Sequence, residues 1–550
     1  MRSVVQSIDY AAIAPAVIVA LTAFVVLVAD LFLPPPRKYL LGWLAGLGVA
    51  GALVSLLPLW DSPRQTFCLP APTAGLCSYE VTNLTLILQL LALGGAFIVV
   101  LMSAPTIEER NLPAGEYWFL LLCSVTGAVT IAAGRDLITL LVALELVSLP
   151  AFALVAIDRA DRWASEGAMK FFLTSVVSVA VTLYGISLVY GVTGSVHLAG
   201  VAAALSDASL QPAVVSLGVV LTLIGFAFKV AAVPFHGWLP DTYVAAPIPV
   251  AAYLSVVSKA AGFAGLLLIV GLGFAPYVTV WAPVLGVFAA LTMSVANLVA
   301  LRQRHAVRLL AWSSIAHSGY AMVPLAAALA PGSAELTISD ALLVTVTYLL
   351  VYGVMNLGAF AVVAVVARDR PANRLVDYRG LIRTRPWAGV ALAFFLACLA
   401  GLPPGLIGLF AKVVVFGSAV NGGVGWLAVV MAVNTVIALY YYLVWAAQIF
   451  APAPAPAVAA PVAVPVGAPP TASAIAGTQP AHTDTAGDAS RAPAPTAVST
   501  AVIDRGPVRA TSAVPVGLVW AVGLTLLIGV ILSVLPQIVL QVLVNVTAGG

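Results

Sequence analysis

Long apolar runs, separated by short polar breaks, make up most of the 550-residue chain. A membrane-spanning helix needs about 20 consecutive, mostly apolar residues. Fourteen runs satisfy this condition, so the pattern predicts an all-α polytopic membrane protein with fourteen transmembrane helices. The runs are 12–33, 39–59, 82–103, 116–133, 136–157, 168–191, 212–245 (interrupted), 248–270, 276–300, 308–329, 338–366, 387–417 (interrupted), 423–450 and 513–536.

The composition agrees with a membrane protein. Hydrophobic residues make up 62% of the chain and charged residues 8%, whereas soluble domains carry about 25% charged residues. The first run is too long for the apolar core of a signal peptide, and we interpret it as the first membrane helix. The basic residues form no stripe, which argues against nucleic-acid binding. We therefore expect a lipid bilayer, and no nucleic acid, around the chain.

The distribution of Lys and Arg among the polar breaks predicts the orientation, because basic loops remain in the cytoplasm. An even number of helices puts both termini on the same side. With the N-terminus outside, the cytoplasmic breaks hold 17 basic residues and the outer side holds three. We therefore predict that both termini lie outside the cytoplasm.

This orientation puts the hydrophilic loop 61–80 outside. The loop contains Cys68 and Cys77, whose spacing permits a disulfide in an oxidising compartment, although two unpaired thiols also fit the sequence. Ala, Pro, Thr, Val and Gly dominate residues 451–512, which contain no aromatic residue. Such a composition cannot bury enough surface to fold, so we predict a disordered cytoplasmic linker before the last helix. A tolerated insertion explains this linker, and an interaction role is the alternative.

Two of the apolar runs are interrupted at matched places. Their sequences are KVAAVPFHGWLPDTYVAAP at 229–247 and GLPPGLIGLFAK at 401–412. Proline breaks a helix in mid-membrane, and such breaks are tolerated where they line a buried or hydrated cavity. The prolines are Pro234 in the first break, and Pro403 and Pro404 in the second. The broken runs are the seventh and the twelfth, so a repeat of five helices would be inverted in its second copy, an arrangement that indicates an ion or substrate site near the midplane.

Ionisable residues inside the predicted spans are the candidate functional residues. A charged side chain costs about 2.5–3.5 kcal/mol at the centre of a membrane helix, and lysine, unlike arginine, can release its proton when desolvated. Four of the five lysines lie in predicted spans, whereas arginine is confined almost entirely to the breaks. This distribution indicates proton movement. The candidates for a proton relay are Glu145, Lys170, Lys229, Lys259, His317 and Lys412.

The residues alone leave several roles open. Glu145 is the only acid well inside a span, and a buried carboxylate needs a cationic partner, which one of the lysines would supply. Lys170 lies close to a cytoplasmic break, so extension of its ammonium to the interface is an alternative. His317 is either a relay or a satisfied core histidine. His236 and Asp241, near the first break, either transfer protons or only shape that turn.

The chain shows no means of redox or ATP chemistry. It contains no Walker A run and no Gly-x-Gly-x-x-Gly motif after a strand. Its four cysteines do not have the spacing of an iron–sulfur cluster, and we expect no metal site. The energy for transport must therefore come from an ion gradient or from a partner complex.

Five segments that contain the candidate residues resemble one family. They are ALELVSLPAFALVA (143–156), EGAMKFFL with LYGISLVYGVTGS (166–195), FKVAAVPFHGWLPDTYVAAPIPVAAYLSVVSKAAGFA (228–264), RLLAWSSIAHSGY (308–320) and LAGLPPGLIGLFAKVVVF (399–416). These segments resemble subunit N of proton-pumping NADH–quinone oxidoreductase (respiratory complex I), an antiporter-like membrane subunit. The resemblance covers about 116–418.

The resemblance implies fourteen helices with two inverted five-helix repeats, helices 4–8 and 9–13, in which helices 7 and 12 are discontinuous. It implies that Glu145 pairs with Lys229, that Lys259 is the connecting lysine and that Lys412 is the terminal lysine. The linker resembles an insertion relative to the family pattern. The resulting divisions are 1–115 (helices 1–3), 116–272 (first repeat), 273–450 (second repeat), 451–512 (linker) and 513–550 (helix 14).

The function that the resemblance implies is proton translocation within a bacterial inner-membrane NADH–quinone oxidoreductase. The redox reaction, with FMN, iron–sulfur clusters and quinone, would occur in partner subunits, and this chain would hold no cofactor. Other membrane-arm subunits would be its partners. Two alternatives remain open: a subunit of a multi-subunit Na⁺/H⁺ antiporter, and an ion-silent assembly scaffold.

Overall fold

The computed structural model describes residues 8–60, 62–69, 76–207, 212–328, 337–452 and 513–537. The predictions for the two termini and for nearly all of the linker 451–512 fall outside the described residues. Within the described residues the protein is mostly helical, with nineteen α-helices and two β-strands.

Most helices follow the apolar runs, whereas the two strands and the short helices α7 and α15 lie between runs. Their bounds are α1 Tyr10–Phe32, α2 Tyr39–Val54, β1 Arg64–Cys68, β2 Cys77–Val81, α3 Asn83–Arg110, α4 Ala114–Ala133, α5 Leu137–Val155, α6 Arg162–Thr193, α7 Leu198–Leu205, α8 Pro212–Lys229, α9 Leu239–Ala245, α10 Ile248–Tyr253, α11 Lys259–Leu268, α12 Val278–Ala300, α13 Ala306–Ala327, α14 Ile338–Asp369, α15 Leu381–Thr384, α16 Pro386–Ala400, α17 Leu406–Asn421, α18 Gly425–Phe450 and α19 Val516–Val534.

Twelve helices within the described residues are long and apolar enough to cross a membrane. They do not include α13, and α16 and α17 are each shorter than a full span. Among these candidate spans, α14 and the segment formed by α10 and α11 are the most deeply enclosed, whereas α2 and α6 expose most of their surface. The bundle therefore has α10, α11 and α14 at its centre, and the candidate site lies around them.

Small residues bring the helices of the bundle close together, as expected in a membrane, where packing rather than water exclusion drives association. At Gly185 of α6, an added Cβ would collide with the backbone of Thr222 in α8. This close approach places α6 alongside α8, which ends at the first break, and so positions side chains of α6 near that break.

Both predicted breaks coincide with helix ends. α8 ends at Lys229 and α9 begins at Leu239, whereas α16 ends at Ala400 and α17 begins at Leu406. The proline in each break follows a cis peptide bond. In the first break the amide of Val233 donates a hydrogen bond to the hydroxyl of Thr292 on α12, at 2.9 Å. A neighbouring helix thus satisfies a backbone group that the interrupted helix leaves free.

Residues 61–80 are predicted to form a loop, but the structure has two paired β-strands there. β1 and β2 pair antiparallel, with Cys68 opposite Cys77, and the two cysteines form a disulfide. The prediction of an all-α fold therefore misses one small sheet. β2 (CSYEV) alternates apolar and polar residues, but β1 (RQTFC) does not, so the sequence shows only one of the two strand patterns that a hairpin needs. Oxidation of these cysteines in the cell stays a prediction.

Candidate functional site

The first part of the site lies at the C-terminal end of α8, where Lys229 is the last helical residue. A cation is favoured at this end because the last carbonyl groups of a helix carry partial negative charge. The Lys229 ammonium donates hydrogen bonds to Glu145 Oε1 at 3.2 Å, to the hydroxyl of Ser148 at 2.7 Å and to the hydroxyl of Ser175 at 2.9 Å. All three donors of the ammonium are therefore satisfied.

The helices α5 and α6 supply these three acceptors. Glu145 and Ser148 are three residues apart on α5 and so share one face of that helix, while Ser175 comes from α6. The Lys229 side chain is 7% exposed and that of Glu145 is 24% exposed. The ion pair is therefore buried on its lysine side and more accessible on its carboxylate side.

The second part of the site is Lys259, which lies just after a turn of π-helix at Leu254–Ser258. Its ammonium donates to the backbone oxygen and to the hydroxyl of Ser314 on α13, each at 2.6 Å. The hydroxyl of Tyr352 on α14 donates to the same serine hydroxyl at 2.8 Å. Ser314 thus connects Lys259 to a tyrosine of the central helix.

The third part of the site is His317, which is 3% exposed and lies one turn beyond Ser314 on α13. Its Nδ1 is 2.7 Å from the hydroxyl of Tyr348, and its Nε2 is 3.2 Å from the hydroxyl of Tyr442. The imidazole also stacks on Tyr352, with 4.9 Å between the ring centroids. Tyr352 therefore contacts both the histidine and the serine that binds Lys259.

The fourth part of the site is Lys412 on α17, just after the second break. Its ammonium donates to the backbone oxygens of Leu399 and Ala400, each at 2.9 Å. These are the last residues of α16, whose carbonyl groups lack partners within their own helix. The ammonium also lies 5.7 Å from the ring of Tyr320, and that ring is 5.8 Å from the ring of His317.

The second, third and fourth parts form a continuous series of contacts from Lys259 to Lys412, and the Lys229 pair forms a separate hydrogen-bonded group. An ammonium group can release a proton and its neutral amine can accept one, while imidazole and hydroxyl groups can both donate and accept hydrogen bonds. Among the residues that the structure describes, no group of three His, Cys, Asp or Glu side chains is arranged to hold a metal ion. The arrangement therefore fits proton transfer.

Comparison with known proteins decides the family. Residues 134–438 match the family described as NADH:quinone oxidoreductase/Mrp antiporter, TM. A curated relative from Streptomyces griseus, named NADH-quinone oxidoreductase subunit N 2, is 59% identical over 456 residues, which is 82% of this chain and 84% of the relative. The chain belongs to the NADH-quinone oxidoreductase subunit N family.

Two solved structures are similar to this member of the subunit N family. A chain of respiratory complex I from Thermus thermophilus is 28% identical, with a TM-score of 0.67, and the match covers 96% of this chain and 98% of that one. A chain of the Mrp complex from Dietzia sp. has a TM-score of 0.75 at 20% identity and covers 98% of this chain and 96% of that one. Because the identity is only 20%, the similarity to the Mrp chain supports the fold alone.

In this member of the subunit N family, Lys170 lies apart from the buried lysines. Its side chain is 47% exposed and forms ion pairs with Glu166 at 2.8 Å and with Asp241 at 3.0 Å. Asp241 also pairs with Arg308 at 3.1 Å. Of the two pairings left open by the residues, the structure has Glu145 with Lys229 and not with Lys170. Asp241 belongs to a surface cluster and not to the buried series.

The remaining predicted residues of this subunit N line the breaks. His236 is half-buried, its ring centroid is 5.4 Å from that of Trp312, and its Nδ1 has no hydrogen-bond partner among the described residues. Pro234, Pro403 and Pro404 are exposed. These residues shape the two interruptions but make no hydrogen bond to the four parts of the site.

Several site residues of this subunit N were not found from the sequence. Ser148 and Ser175 bind the Lys229 ammonium, and Tyr320 and Tyr442 surround His317. Ser148 carries a usable signal, because it lies one helical turn from Glu145. Tyr320 carries the same signal, because it lies three residues after His317 on α13. Ser175 and Tyr442 come from other helices, and nothing in their local sequence marks the direction in which they point.

Proposed function

We propose that this chain is a proton-translocating membrane-arm subunit of an NADH–quinone oxidoreductase. The observation that carries the proposal is two sets of proton-carrying groups, the Glu145–Lys229 pair and the buried series from Lys259 to Lys412, in a chain of the subunit N family. Electron transfer from NADH to quinone, with FMN and iron–sulfur clusters, takes place in partner subunits. Other membrane-arm subunits are the partners of this chain.

The ion pair supplies a physical switch. At about 4 Å and an effective dielectric constant near 20, the attraction between two unit charges is worth about 4 kcal/mol. The attraction stabilises the charged form of Lys229. Separation of Glu145 from Lys229 removes it and so promotes release of the lysine proton. When the pair forms again, the lysine recaptures a proton. A small movement of either side chain is enough to operate the switch.

The proton then moves through the centre of the bundle. Lys259, Ser314 and Tyr352 connect the first half of the chain to His317. His317 and Tyr320 connect in turn to Lys412 beside the second break. Because these groups interact closely, their protonation is coupled, and an observed titration belongs to the set and not to one residue.

The proposal includes the finer architecture. When α8 with α9, α10 with α11, and α16 with α17 are each counted as one span, and α7 and α15 are left out, the helices number fourteen. The broken spans are then the seventh and the twelfth, as expected for inverted repeats at 116–272 and 273–450. Both termini and the β-hairpin lie outside the cytoplasm of a bacterial inner membrane, and the linker lies inside. The hairpin disulfide is oxidised there.

A gradient-driven Na⁺/H⁺ antiporter subunit is the second candidate. The fold is compatible with it, as the Mrp likeness indicates. The curated relative at 59% identity is nevertheless named as an oxidoreductase subunit. The redox-driven function is therefore the better supported of the two.

The test is NADH-driven quinone reduction and proton pumping in inverted membrane vesicles that carry Lys229→Ala or Glu145→Ala. We expect pumping to fall by more than about tenfold, because each variant removes a group that binds or releases the transferred proton, and a positioned acid or base typically contributes about 10²–10⁴-fold. Lys38→Ala is the matched control, since Lys38 pairs with Asp30 at the end of α1, away from the site.

Assembly of the complex is checked first for each variant by native electrophoresis. If the complex assembles and pumping falls only in the site variants, the pair is part of the proton path. If both variants pump at the wild-type rate, the relay is wrong and the chain acts as a scaffold or in another system.

A further inference from the structure

A charged cavity lies on the surface beside the first break. It has a volume of about 160 Å³ and lies between α6, α9 and the start of α13. We call this cavity and the four charged side chains that line it the mouth: Glu166, Lys170, Asp241 and Arg308. Because a water molecule occupies about 30 Å³ in the liquid, the cavity has room for several waters.

The carboxylate of Asp241 holds the mouth together. Its two oxygens pair with Lys170 at 3.0 Å and with Arg308 at 3.1 Å, and Lys170 also pairs with Glu166. One short helix, α9, is thereby tied to both α6 and α13. The mouth is a polar, accessible site of mixed charge that the buried series does not use.

Helix α6 connects the mouth to Lys229. Gly167 lines the cavity, Phe171 follows four residues later, and Ser175, four residues after that, accepts a hydrogen bond from Lys229. Residues four apart lie on one helix face, and each step rises about 6 Å along the axis. On this face Phe171 therefore lies between the charged cavity and the buried ammonium.

The ring of Phe171 is part of an aromatic stack. It lies parallel to Trp238, the residue just before α9, with 4.1 Å between the ring centroids and 8° between the planes. Phe152 packs edge-on against Phe171 at 4.5 Å, and the indole of Trp238 donates a hydrogen bond to the backbone oxygen of Phe228 at 3.4 Å. Phe171 and Trp238 are 2% and 5% exposed. Among these three side chains the hydrogen-bonding group is the Trp238 indole N–H, and because it only donates and is held by Phe228, it cannot accept a proton and pass it on.

Helix α9 and the residue before it contribute to both the aromatic stack and the mouth. Trp238 immediately precedes it and belongs to the stack, while Asp241 in its first turn belongs to the mouth. The helix has only seven residues and lies between the break and Pro247. A rearrangement of the Asp241 ion pairs can therefore move Trp238 without moving a full membrane helix.

We propose that the Phe171–Trp238 stack is the barrier that separates the mouth from Lys229, and that its opening admits protons to this lysine. The inference rests on the proposed function. When the barrier opens, a proton passes from water in the mouth to the neutral amine of Lys229, which becomes an ammonium ion and pairs with Glu145. An O–H bond in the water cluster breaks, the third N–H bond of the ammonium forms, and the hydroxide left in the cluster is reprotonated from the aqueous phase.

The experiment measures proton leak through the assembled complex in inverted vesicles. A pH gradient is formed with NADH, respiration is stopped, and decay of the gradient is followed with a pH-sensitive dye. We expect Phe171→Ala to accelerate the decay several-fold and to lower the number of protons pumped per electron. Phe172→Ala is the matched control, because the neighbouring Phe172 also packs on Phe152 but is 39% exposed and lies outside the stack.

A second variant covers the case in which Phe171→Ala does not assemble. Phe171→Leu keeps most of the side-chain volume while removing the ring that stacks on Trp238, and it should also accelerate the decay. Lys229→Ala, in the same vesicles, separates the inference from the proposed function. If Lys229→Ala lowers pumping but neither Phe171 variant changes the leak, the barrier assignment is wrong and the proton path stands. If none of these variants changes pumping or leak, both are wrong.

Discussion

The two broken helices hold their lysines in different ways. Before the first break, Lys229 is bound by a carboxylate and two hydroxyl groups, all from side chains of α5 and α6. After the second break, Lys412 is bound by the backbone oxygens of Leu399 and Ala400. Among the described residues, Lys412 forms no ion pair. Lys229 therefore has a full negative charge beside it, whereas Lys412 has only the partial negative charge at the end of a helix.

This difference determines how the electrostatic stabilisation of each lysine's charge can be changed. A helix end carries about half an elementary charge, and its carbonyl groups are fixed in the backbone. A glutamate side chain carries a full charge and can rotate away. The first site can therefore change its electrostatics through a side-chain movement, whereas the second can change only if the ends of α16 and α17 move. We infer that switching starts at Glu145–Lys229 and that Lys412 responds.

The largest expected effect comes from removing each lysine in turn. Lys229→Met leaves Glu145 without its partner, and breaking a buried pair in this way costs about 3 kcal/mol, the low end of the usual range, because Glu145 is 24% exposed. Lys412→Met leaves no charged partner behind and should cost less. The measurement is the temperature at which half of the detergent-solubilised complex dissociates.

A double variant makes this test sharper. Glu145→Gln with Lys229→Met removes both charges and should recover most of the stability lost by Lys229→Met alone. Equal losses for Lys229→Met and Lys412→Met, or no recovery in the double variant, would show that the two sites do not differ in the way described here.

The second prediction concerns the backbone of the second site. At Gly408 of α17, an added Cβ would collide with the carbonyl oxygen of Cys398, next to the two carbonyl groups that bind Lys412. Gly408→Ala should therefore push α17 from α16, destabilise the subunit by about 2 kcal/mol and lower pumping. The same complex-dissociation temperature and the pumping assay measure both effects.

Gly417→Ala is the matched control, because it lies on the same helix and an added Cβ meets nothing within 4 Å. Alanine is a better helix former than glycine, so this variant should be neutral or slightly stabilising. If Gly408→Ala is as mild as Gly417→Ala, the position of the α16 carbonyl groups does not control the second site.

The placement of the helices could be predicted from the sequence, because apolar runs of membrane length have few other solutions. The predicted run 248–270 corresponds to α10 and α11, and helix ends lie at both proline-containing segments. The β-hairpin was missed, because β1 lacks the apolar–polar alternation that β2 shows. The exposed position of Lys170 was one of two alternatives, and the sequence could not choose between them.

The partners of the buried lysines were harder to predict. The choice of Lys229 for Glu145 came from the family resemblance, because the two residues are 84 positions apart and their spacing carries no information. The two backbone carbonyl groups that bind Lys412 could not be predicted from side-chain identities. The contact between Ser175 and Lys229 could not be predicted either. It depends on the rotation of α6 about its axis, which is determined by helix packing.

Ser175 also provides the smallest expected effect. Ser175→Ala removes one of the three acceptors of the Lys229 ammonium but leaves Glu145 and Ser148 in place. The expected loss of stability is about 1 kcal/mol, typical of one hydrogen bond. Ser187→Ala, on the same helix, is the control, because the Ser187 hydroxyl is exposed and donates only to the backbone oxygen of Leu183 in its own helix.

The result discriminates between two accounts of the first site. If the carboxylate alone holds the lysine, Ser175→Ala and Ser187→Ala should pump at the same rate over the whole pH range. If the hydroxyl groups share the ammonium, Ser175→Ala should shift the pH dependence of pumping towards lower pH, because the charged lysine loses a stabilising partner and releases its proton more readily. A Ser175→Thr variant, which keeps the hydroxyl, should then restore the profile, whereas a merely structural role for Ser175 would change stability without moving it.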